Sequence, residues 1–337
     1  MDNRKYYIHP EPFGLELGGV LPELKIAYHT YGTINESGDN VVWVCHALTA
    51  SSDVVDWWPH TVEKGKFLDP ERYFVICANI IGSPYGTTSP ITPDPVSGEP
   101  LYDRFPAITI GDMARAHSLL ADALGIKRIH RLVGSSVGGF QAIEWAVREP
   151  WRFDQLLLLA TAAKASPWLI AADETQRMAI FSDPTYGEQR EDAAWNGLAA
   201  ARAIAMLTYR SPQGYNETQQ DPDDTPAAGP HRACSYQRYQ GLKLCRRYNV
   251  YSYVTILDAF DTHDIGRGRG GVQAALDTLT MPAIVIGLTT DICFTPAEMR
   301  QLADQLPDAQ YFEIESQFGH DGFLVEHEQL NRILTED

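Results

Sequence analysis

Short apolar runs alternate with helix-spaced apolar positions along most of the chain. Val41–Cys45 and residues 73–77 are continuous apolar runs rich in β-branched and aromatic residues, as expected of strands covered on both faces. Residues 112–124 instead carry apolar side chains at every third or fourth position, which predicts a helix that Gly125 ends. The same patterns predict strands at 15–17, 24–31, 130–134, 156–160, Ala283–Leu288 and 310–314, and helices at Val137–Arg148, 271–279 and 296–306. Strands that alternate with helices favour a parallel sheet.

The alternation is interrupted between residues 164 and 265. This segment predicts helices at 168–181, 193–209, 235–247 and 251–260, with a polar surface loop at 217–230. We therefore expect one core, built from residues 1–163 and 266–337, with a helical lid at 164–265 inserted after the sixth main strand.

Charge and composition exclude several classes of protein. The 337 residues are 44% hydrophobic, enough for a full core, and the net charge is −17. Such an acidic chain lacks the basic face that nucleic-acid binding requires, and any anionic substrate needs a local cluster of Arg or Lys. The longest apolar run, near residues 156–163, is far below the roughly 20 residues of a membrane span, and the N-terminus lacks the apolar stretch of a signal peptide.

The five cysteines are scattered, and none forms a C-x-x-C pair. This distribution disfavours both a disulfide framework and a zinc site, so we expect no metal and a reduced, cytoplasmic setting. Cys45 and Cys77 lie in apolar runs and are interpreted as small core residues.

A G-x-S-x-G motif occupies Gly134 to Gly138, with Ser136 at its centre. A predicted strand leads directly into the motif and a predicted helix leads out, which is the context of a nucleophile elbow. The alternative is an ordinary Ser/Gly turn between strand and helix. With both flanks present, the motif indicates an α/β-hydrolase fold with Ser136 as a nucleophile.

A serine nucleophile needs a base, and the base needs an acid to orient it. In this fold they follow the serine in the order acid, then histidine. Asp291 comes just after strand Ala283–Leu288, and His320 just after the strand at 310–314. The alternatives are a helix-capping Asp and an ordinary surface His; His327, inside the last helix, and His263, before the strand that delivers the acid, are weaker candidates for the base.

An oxyanion hole requires two N–H donors. One is expected from Val137, the residue after the nucleophile, and the other from Leu48, in the loop after an early strand. His46 lies in the same loop and is interpreted as a brace for the turn.

These residues resemble the homoserine O-acetyltransferases of methionine biosynthesis over nearly the whole chain. The matching segments are His46 to Thr49, 73–77, Asp112-Met113, 134–145 (GSSVGGFQAIEW), 205–210 (AMLTYR), 235–241 (SYQRYQG), 263–271 (HDIGRGRGG) and 319–323 (GHDGF). The resemblance implies an acyl-CoA-dependent O-acyltransferase with a helical lid, dimeric through that lid, without metal or tightly bound cofactor. Its substrates would be acetyl-CoA, as co-substrate, and L-homoserine, with transfer by a ping-pong mechanism through acyl-Ser136. The resemblance also assigns carboxylate binding to Arg210 and amine binding to Asp321.

The chain departs from the family pattern beside the expected acyl site. Ser135 stands where the family has a glycine, Val137 where it has a methionine, and residues 292–296 are less aromatic than usual. The donor therefore stays open between acetyl-CoA and succinyl-CoA, and the acceptor between homoserine and serine.

Two other classes of function remain as alternatives. An ester hydrolase would use the same three residues with water as acceptor, and a non-catalytic binding module of this fold would have lost one of them. The G-x-G-x-x-G at residues 266, 268 and 271 follows a polar segment rather than a buried strand, which argues against a dinucleotide site. For Arg267 and Arg269 within this segment, two roles stay open: contact with CoA phosphates, or structural ion pairs.

Overall fold

Eight strands form the central sheet within the residues that the computed structural model describes, 3–223, 226 and 228–335. In chain order the strands are β1 Lys5–Ile8, β2 Phe13–Gly14, β3 Val20–Leu21, β4 Lys25–Tyr31, β5 Val41–Cys45, β6 Phe74–Ala78, β7 Arg131–Ser135, β8 Leu156–Leu159, β9 Ala283–Leu288 and β10 Ala309–Ile314. Their order across the sheet is β1-β4-β6-β5-β7-β8-β9-β10, while β2 and β3 form a separate hairpin. Strand β4 is antiparallel to both neighbours, and all pairs from β6 to β10 are parallel.

Helices surround this sheet and fill the long connection between β8 and β9. They are α1 Val54–Trp57, α2 Ile110–Ala123, α3 Val137–Arg148, α4 Pro167–Phe181, α5 Trp195–Tyr209, α6 Pro212–Thr218, α7 Arg232–Cys245, α8 Val250–Asp261, α9 Val272–Leu276, α10 Pro296–Gln305, α11 Gly322–Val325 and α12 His327–Thr335. Single 3₁₀ turns occur at Tyr102–Arg104, Pro150–Arg152 and Gly319–Asp321. No helix in the described residues is long and apolar enough to cross a membrane.

The central strands are almost entirely apolar because helices cover both faces, and Arg131 and Ser135 of β7 are polar exceptions. Every residue of β5, β7, β8 and β9 is buried, which explains why these segments appear in the sequence as continuous rather than alternating apolar runs. Cys45 and Cys77 are fully buried in β5 and β6, so their interpretation as core residues is confirmed.

The carboxyl ends of the parallel strands create one functional edge. The loop after β5 contains His46 to Thr49, the turn after β7 contains Ser136, and the loops after β9 and β10 contain Asp291 and His320. Because parallel strands end at the same edge of a sheet, four segments distant in sequence meet there. The predicted α/β-hydrolase core with its mostly parallel sheet is confirmed.

The predicted strand at residues 15–17 is wrong. These residues form a turn, since Gly18 and Gly19 adopt positive φ angles of 92° and 88° and the Leu15 N–H donates to the Gly19 carbonyl at 3.1 Å. The first strand of the main sheet is instead Lys5–Ile8, an edge strand paired with β4 that is mostly exposed. An exposed edge strand does not need an apolar face, so its sequence gave little signal.

Other differences concern the ends of elements. Helix α7 begins at Arg232 rather than Ser235, and α9 ends at Leu276 rather than Leu279. The predicted loop at 217–230 overlaps the end of α6, and residues 224, 225 and 227 lie outside the described part.

Candidate active site

Ser136 occupies a sharp turn between β7 and α3. Its φ of 55° and ψ of −127° are strained for a residue with a side chain, as the motif predicts. The turn is fixed by the Ser136 N–H, which donates to the carbonyls of Leu159 and Ala160 at 3.0 and 3.1 Å. A Cβ at Gly138 would lie 2.1 Å from the Cys45 carbonyl oxygen, so only glycine permits this approach of β5 and α3. The backbone thus presents the Ser136 hydroxyl at the beginning of a helix.

The three residues predicted from chain order lie in one line of hydrogen bonds. The Ser136 hydroxyl donates to His320 Nε2 at 2.9 Å, and His320 Nδ1 donates to Asp291 Oδ2 at 2.8 Å. The other Asp291 oxygen accepts the N–H groups of Cys293 and Phe294, at 2.7 and 3.1 Å. Since the carboxylate can only accept, it holds the proton on Nδ1 and leaves Nε2 free to accept the serine proton.

The electrostatics of His320 suit a base. Burial alone lowers its pKa, but the charge and hydrogen bond of Asp291, together with the charge of Asp321, outweigh burial and raise the pKa above its ordinary value. A base with a raised pKa accepts the hydroxyl proton more readily and remains able to return it.

Both predicted oxyanion donors border Ser136. Val137 is the first residue of α3, where an N–H has no acceptor within the helix. Leu48 lines the same cavity as Ser136. A negative oxygen at this point would also be stabilised by the positive end of the α3 dipole.

His46 braces the loop, as its position suggests. Its Nδ1 donates to the Ala47 carbonyl at 2.8 Å, and its Nε2 accepts the Ile80 N–H at 3.2 Å. Burial lowers its pKa to about 4, so the ring is neutral. His46 therefore holds backbone and has no free nitrogen for proton transfer.

Gln141 connects the elbow to the oxyanion loop, a link that the motifs did not reveal. Its amide nitrogen donates to the carbonyls of His46 at 3.3 Å and Val137 at 3.2 Å, while its oxygen lies 3.0 Å from His117 Nε2. The sequence offers one signal for this link. Gln141 is the third residue beyond Gly138 and lies inside the predicted helix that follows the motif.

A cavity of about 600 Å³ opens onto Ser136 and His320. Its charged lining combines two carboxyl groups, the half-buried Asp321 and the exposed Asp56, with three cations, Arg202, Lys243 and Arg247. The cations all come from the segment between β8 and β9. The acidic chain thus contains the local basic cluster that an anionic substrate requires.

Asp321 and Arg210 contact each other directly. Arg210 Nε lies 2.9 Å from Asp321 Oδ2, an ion pair whose angle falls outside hydrogen-bond geometry. Burial raises the pKa of Asp321, and the charges of Arg210, Arg202 and His320 oppose that rise. Of the two arginines, Arg202 lines the cavity, whereas Arg210 pairs with Asp321 and lies over the ring of Phe318. Arg202 lies nine residues into the predicted helix at 193–209. It could not be identified from the sequence as a cavity-lining residue, because nothing in its spacing separates it from the other arginines of the lid.

Comparison with known proteins is consistent with this geometry. Residues 40–327 match a family model described as the alpha/beta hydrolase fold. A homoserine O-acetyltransferase from Cyclobacterium marinum is 44% identical over 96% of this chain and 92% of its own length. This chain belongs to the homoserine O-acetyltransferase family.

Solved structures agree on the fold. The homoserine O-acetyltransferase from Bacillus anthracis superposes with a TM-score of 0.91 at 23% identity, covering 100% of this chain and 98% of that one. Esterase E22 superposes with a TM-score of 0.89 at 21% identity, over 99% of each chain. A single backbone therefore serves both named activities, and the fold alone does not separate an acyltransferase from an esterase.

Two other features, a cluster of possible metal ligands and the glycine-rich segment, have structural explanations. Asp291, Cys293 and His320 lie close enough to suggest a metal site, yet both Asp291 oxygens are already used by His320 and backbone N–H groups. In the glycine-rich segment 266–271, Arg269 pairs with Glu144 of α3 at 2.6 and 2.8 Å. The structural reading of Arg269 is therefore confirmed.

Proposed function

We propose that this chain transfers the acetyl group of acetyl-CoA to the side-chain hydroxyl of L-homoserine through an acetyl-Ser136 intermediate. The observation that carries the proposal is the Ser136–His320–Asp291 hydrogen-bond line opening into a cavity with charges of both signs. The name shared by full-length relatives supports acetyl transfer to homoserine over the alternatives.

In the first half-reaction Ser136 is the nucleophile. His320 Nε2 accepts the hydroxyl proton as Oγ forms a bond to the thioester carbonyl carbon, and the carbonyl oxygen becomes negative beside the Leu48 and Val137 N–H groups. When the carbon–sulfur bond breaks, His320 returns its proton to the sulfur and CoA leaves as the thiol. Asp291 keeps the ring oriented and stabilises its cationic form.

The second half-reaction reverses these roles. The homoserine hydroxyl gives its proton to His320 and attacks the acetyl carbon. The Ser136–carbon bond then breaks, and His320 returns the proton to Ser136 Oγ. His320 thus accepts one proton and returns one proton in each half-reaction, and acetyl-CoA acts as a co-substrate.

The charges of the cavity fit an amino acid acceptor. We propose that Asp321, next to His320 in sequence, binds the homoserine amine, and that Arg202 binds its carboxylate. Arg210, which the resemblance assigns to the carboxylate, would instead hold Asp321 in position through their ion pair. Lys243 and Arg247 would meet the phosphates of CoA at the same cavity.

Residues 164–265 are proposed to act as a lid that keeps water from the acyl-enzyme. Helix α5 packs against the 3₁₀ turn that carries His320, so the inserted helices cover the reacting groups directly. Excluding water favours transfer to an amino acid over hydrolysis.

The same helices expose large apolar side chains, and we propose that a second copy of the chain covers them. Trp168, Met178 and Phe181 of α4 are 55%, 63% and 49% exposed, and Leu207 of α5 is 58% exposed. A surface of this kind favours a homodimer through the lid. Light scattering on a chain with Met178→Lys and Leu207→Lys together should give a monomer where the unchanged chain gives a dimer.

The activity is tested by following free CoA thiol from acetyl-CoA with and without L-homoserine, with Ser136→Ala as control and with succinyl-CoA and L-serine in parallel. Release that needs both acetyl-CoA and homoserine, and that vanishes in the variant, is expected. Release that ignores the amino acid would establish a hydrolase instead. No release with any pair, from folded protein, would contradict transferase activity and favour a binding module.

A further inference from the structure

A second, small cavity also reaches Ser136, on the side of the inserted helices. Its volume is about 30 Å³, against about 600 Å³ for the main cavity. Leu48, Ser136, Tyr209 and His320 border both cavities. The remaining wall of this side cavity is mostly apolar and comes from α4, α8 and the ends of neighbouring elements: Leu169, Ala172, Asp173, Gln176, Thr208, Leu257, Phe260, Cys293 and Phe294.

One polar group of this wall is unusual. Asp173 is 8% exposed; its Oδ1 accepts a hydrogen bond from Gln176 at 3.0 Å, while its Oδ2 has no partner that can donate. Asp261 has a similarly unpartnered buried oxygen, and the two carboxyl groups interact. Two neighbouring carboxylates in a buried place disfavour each other's charged form, which favours a proton on one of them. Burial, and then the charge of Asp261, raise the pKa of Asp173 accordingly.

The cation that contacts this pair is already engaged. Arg177 contacts Glu174 at 2.8 Å, Asp258 at 3.3 Å and Asp261 at 2.6 Å. Because its single charge faces these three carboxylates, none is left to neutralise a further anion. The Asp173–Asp261 pair therefore keeps a net negative charge at the part of the wall that Asp173 forms, which disfavours a further carboxylate there.

We propose that the side cavity receives the acyl group of the donor, and that its volume and the Asp173–Asp261 pair restrict that group to short, uncharged acyl chains. This rests on the proposed function and names the acyl specificity of the same site. At about 30 Å³ against about 600 Å³ for the main cavity, the side cavity has room for a short acyl chain, whereas a longer chain requires its closely packed wall to move. CoA and the acceptor would occupy the main cavity, on the other side of the acylated serine.

The size limit is tested with Leu257→Ala, using Ile256→Ala as a matched control. Both residues are buried in α8, but only Leu257 borders the side cavity, so both variants lose similar apolar contacts while one enlarges the void. We expect Leu257→Ala to raise the kcat/KM ratio of propionyl-CoA to acetyl-CoA about tenfold or more, and Ile256→Ala to leave the ratio unchanged. If Leu257→Ala does not fold, Leu169→Ala enlarges the same cavity from the side of α4.

The charge limit is tested with Asp173→Asn, which keeps the shape and adds a donor N–H. It should raise the kcat/KM ratio of succinyl-CoA to butyryl-CoA about tenfold, while Asp258→Asn, at a half-exposed partner of Arg177, should not change it. Propionyl and succinyl ratios unmoved by all these variants would overturn the proposal. The mass of the acyl-enzyme formed by the unchanged chain with acetyl-CoA separates this outcome from a failure of the proposed function, in which no adduct forms.

Discussion

The edge of the sheet and the inserted helices contribute to the site in different ways. At the sheet edge, each oxygen of Asp291 has a partner, and the Ser136 backbone is fixed by two hydrogen bonds. In the insertion, Lys243 and Arg247 are exposed side chains at the wall of a wide cavity. We therefore expect the core to fix the positions of the reacting atoms and the insertion to provide charge and shape for the substrates.

Removing the nucleophile should have the largest effect. Ser136→Ala is expected to lower kcat by about 10⁶-fold, since binding and the oxyanion hole alone leave little catalysis. The variant should keep its stability to within about 1.5 kcal/mol, because alanine retains the Cβ in the strained turn and only the hydrogen bond from the hydroxyl to His320 is lost. Thiol release and thermal unfolding measure the two quantities; retention of more than a few per cent of activity would mean that another group is acylated.

Asp291→Asn tests the sheet edge while keeping the shape of the side chain. The new amide would donate where Asp291 accepts and impose the wrong tautomer on His320, so kcat should fall about 10⁴-fold. The backbone N–H groups of Cys293 and Phe294 can still bond to the remaining oxygen, and a folded protein is expected. An intact kcat would show that His320 does not need this partner.

Arg202→Met tests the insertion. Loss of a charged hydrogen bond to the homoserine carboxylate should raise KM for homoserine about 10- to 100-fold, with little change in the burst of acylation by p-nitrophenyl acetate, which carries no such charge. Arg238→Met, an equal change of charge at an exposed position in α7, is the control. A matching loss in the acylation burst would mean that Arg202 serves the core chemistry, and the division between the two regions would fail.

The pH profile should give the smallest effect. His320 must be neutral to act as a base, and its pKa is raised above 6.5, so activity should fall on the acid side with a midpoint above that value. In Asp291→Asn the midpoint should move to lower pH because the stabilising charge is gone. The ion pair also contributes stability that is complete below pH 6.5 and is lost as pH rises through the folded pKa. A midpoint below 6.5 in the unchanged chain would contradict the role of Asp291.

The sequence predicted the sheet edge well because strong local constraints act there. Gly138 has no room for a side chain, and Ser136 follows a buried strand directly. The acid and the base then follow the serine along the chain in the order that this fold requires. The insertion was predicted only as helices. Which arginine faces the cavity depends on the rotation and packing of α5, so Arg202 could not be separated from Arg210. The link of Asp173 to Asp261 spans two helices and has no local pattern either.

The most direct test is the intact mass of the chain after incubation with acetyl-CoA alone, followed by digestion to locate the adduct. We expect one acetyl group on the peptide containing Ser136, discharged by L-homoserine as O-acetylhomoserine and absent in Ser136→Ala. An acetyl group that homoserine does not remove, or product formed without any acylated serine, would contradict this expectation.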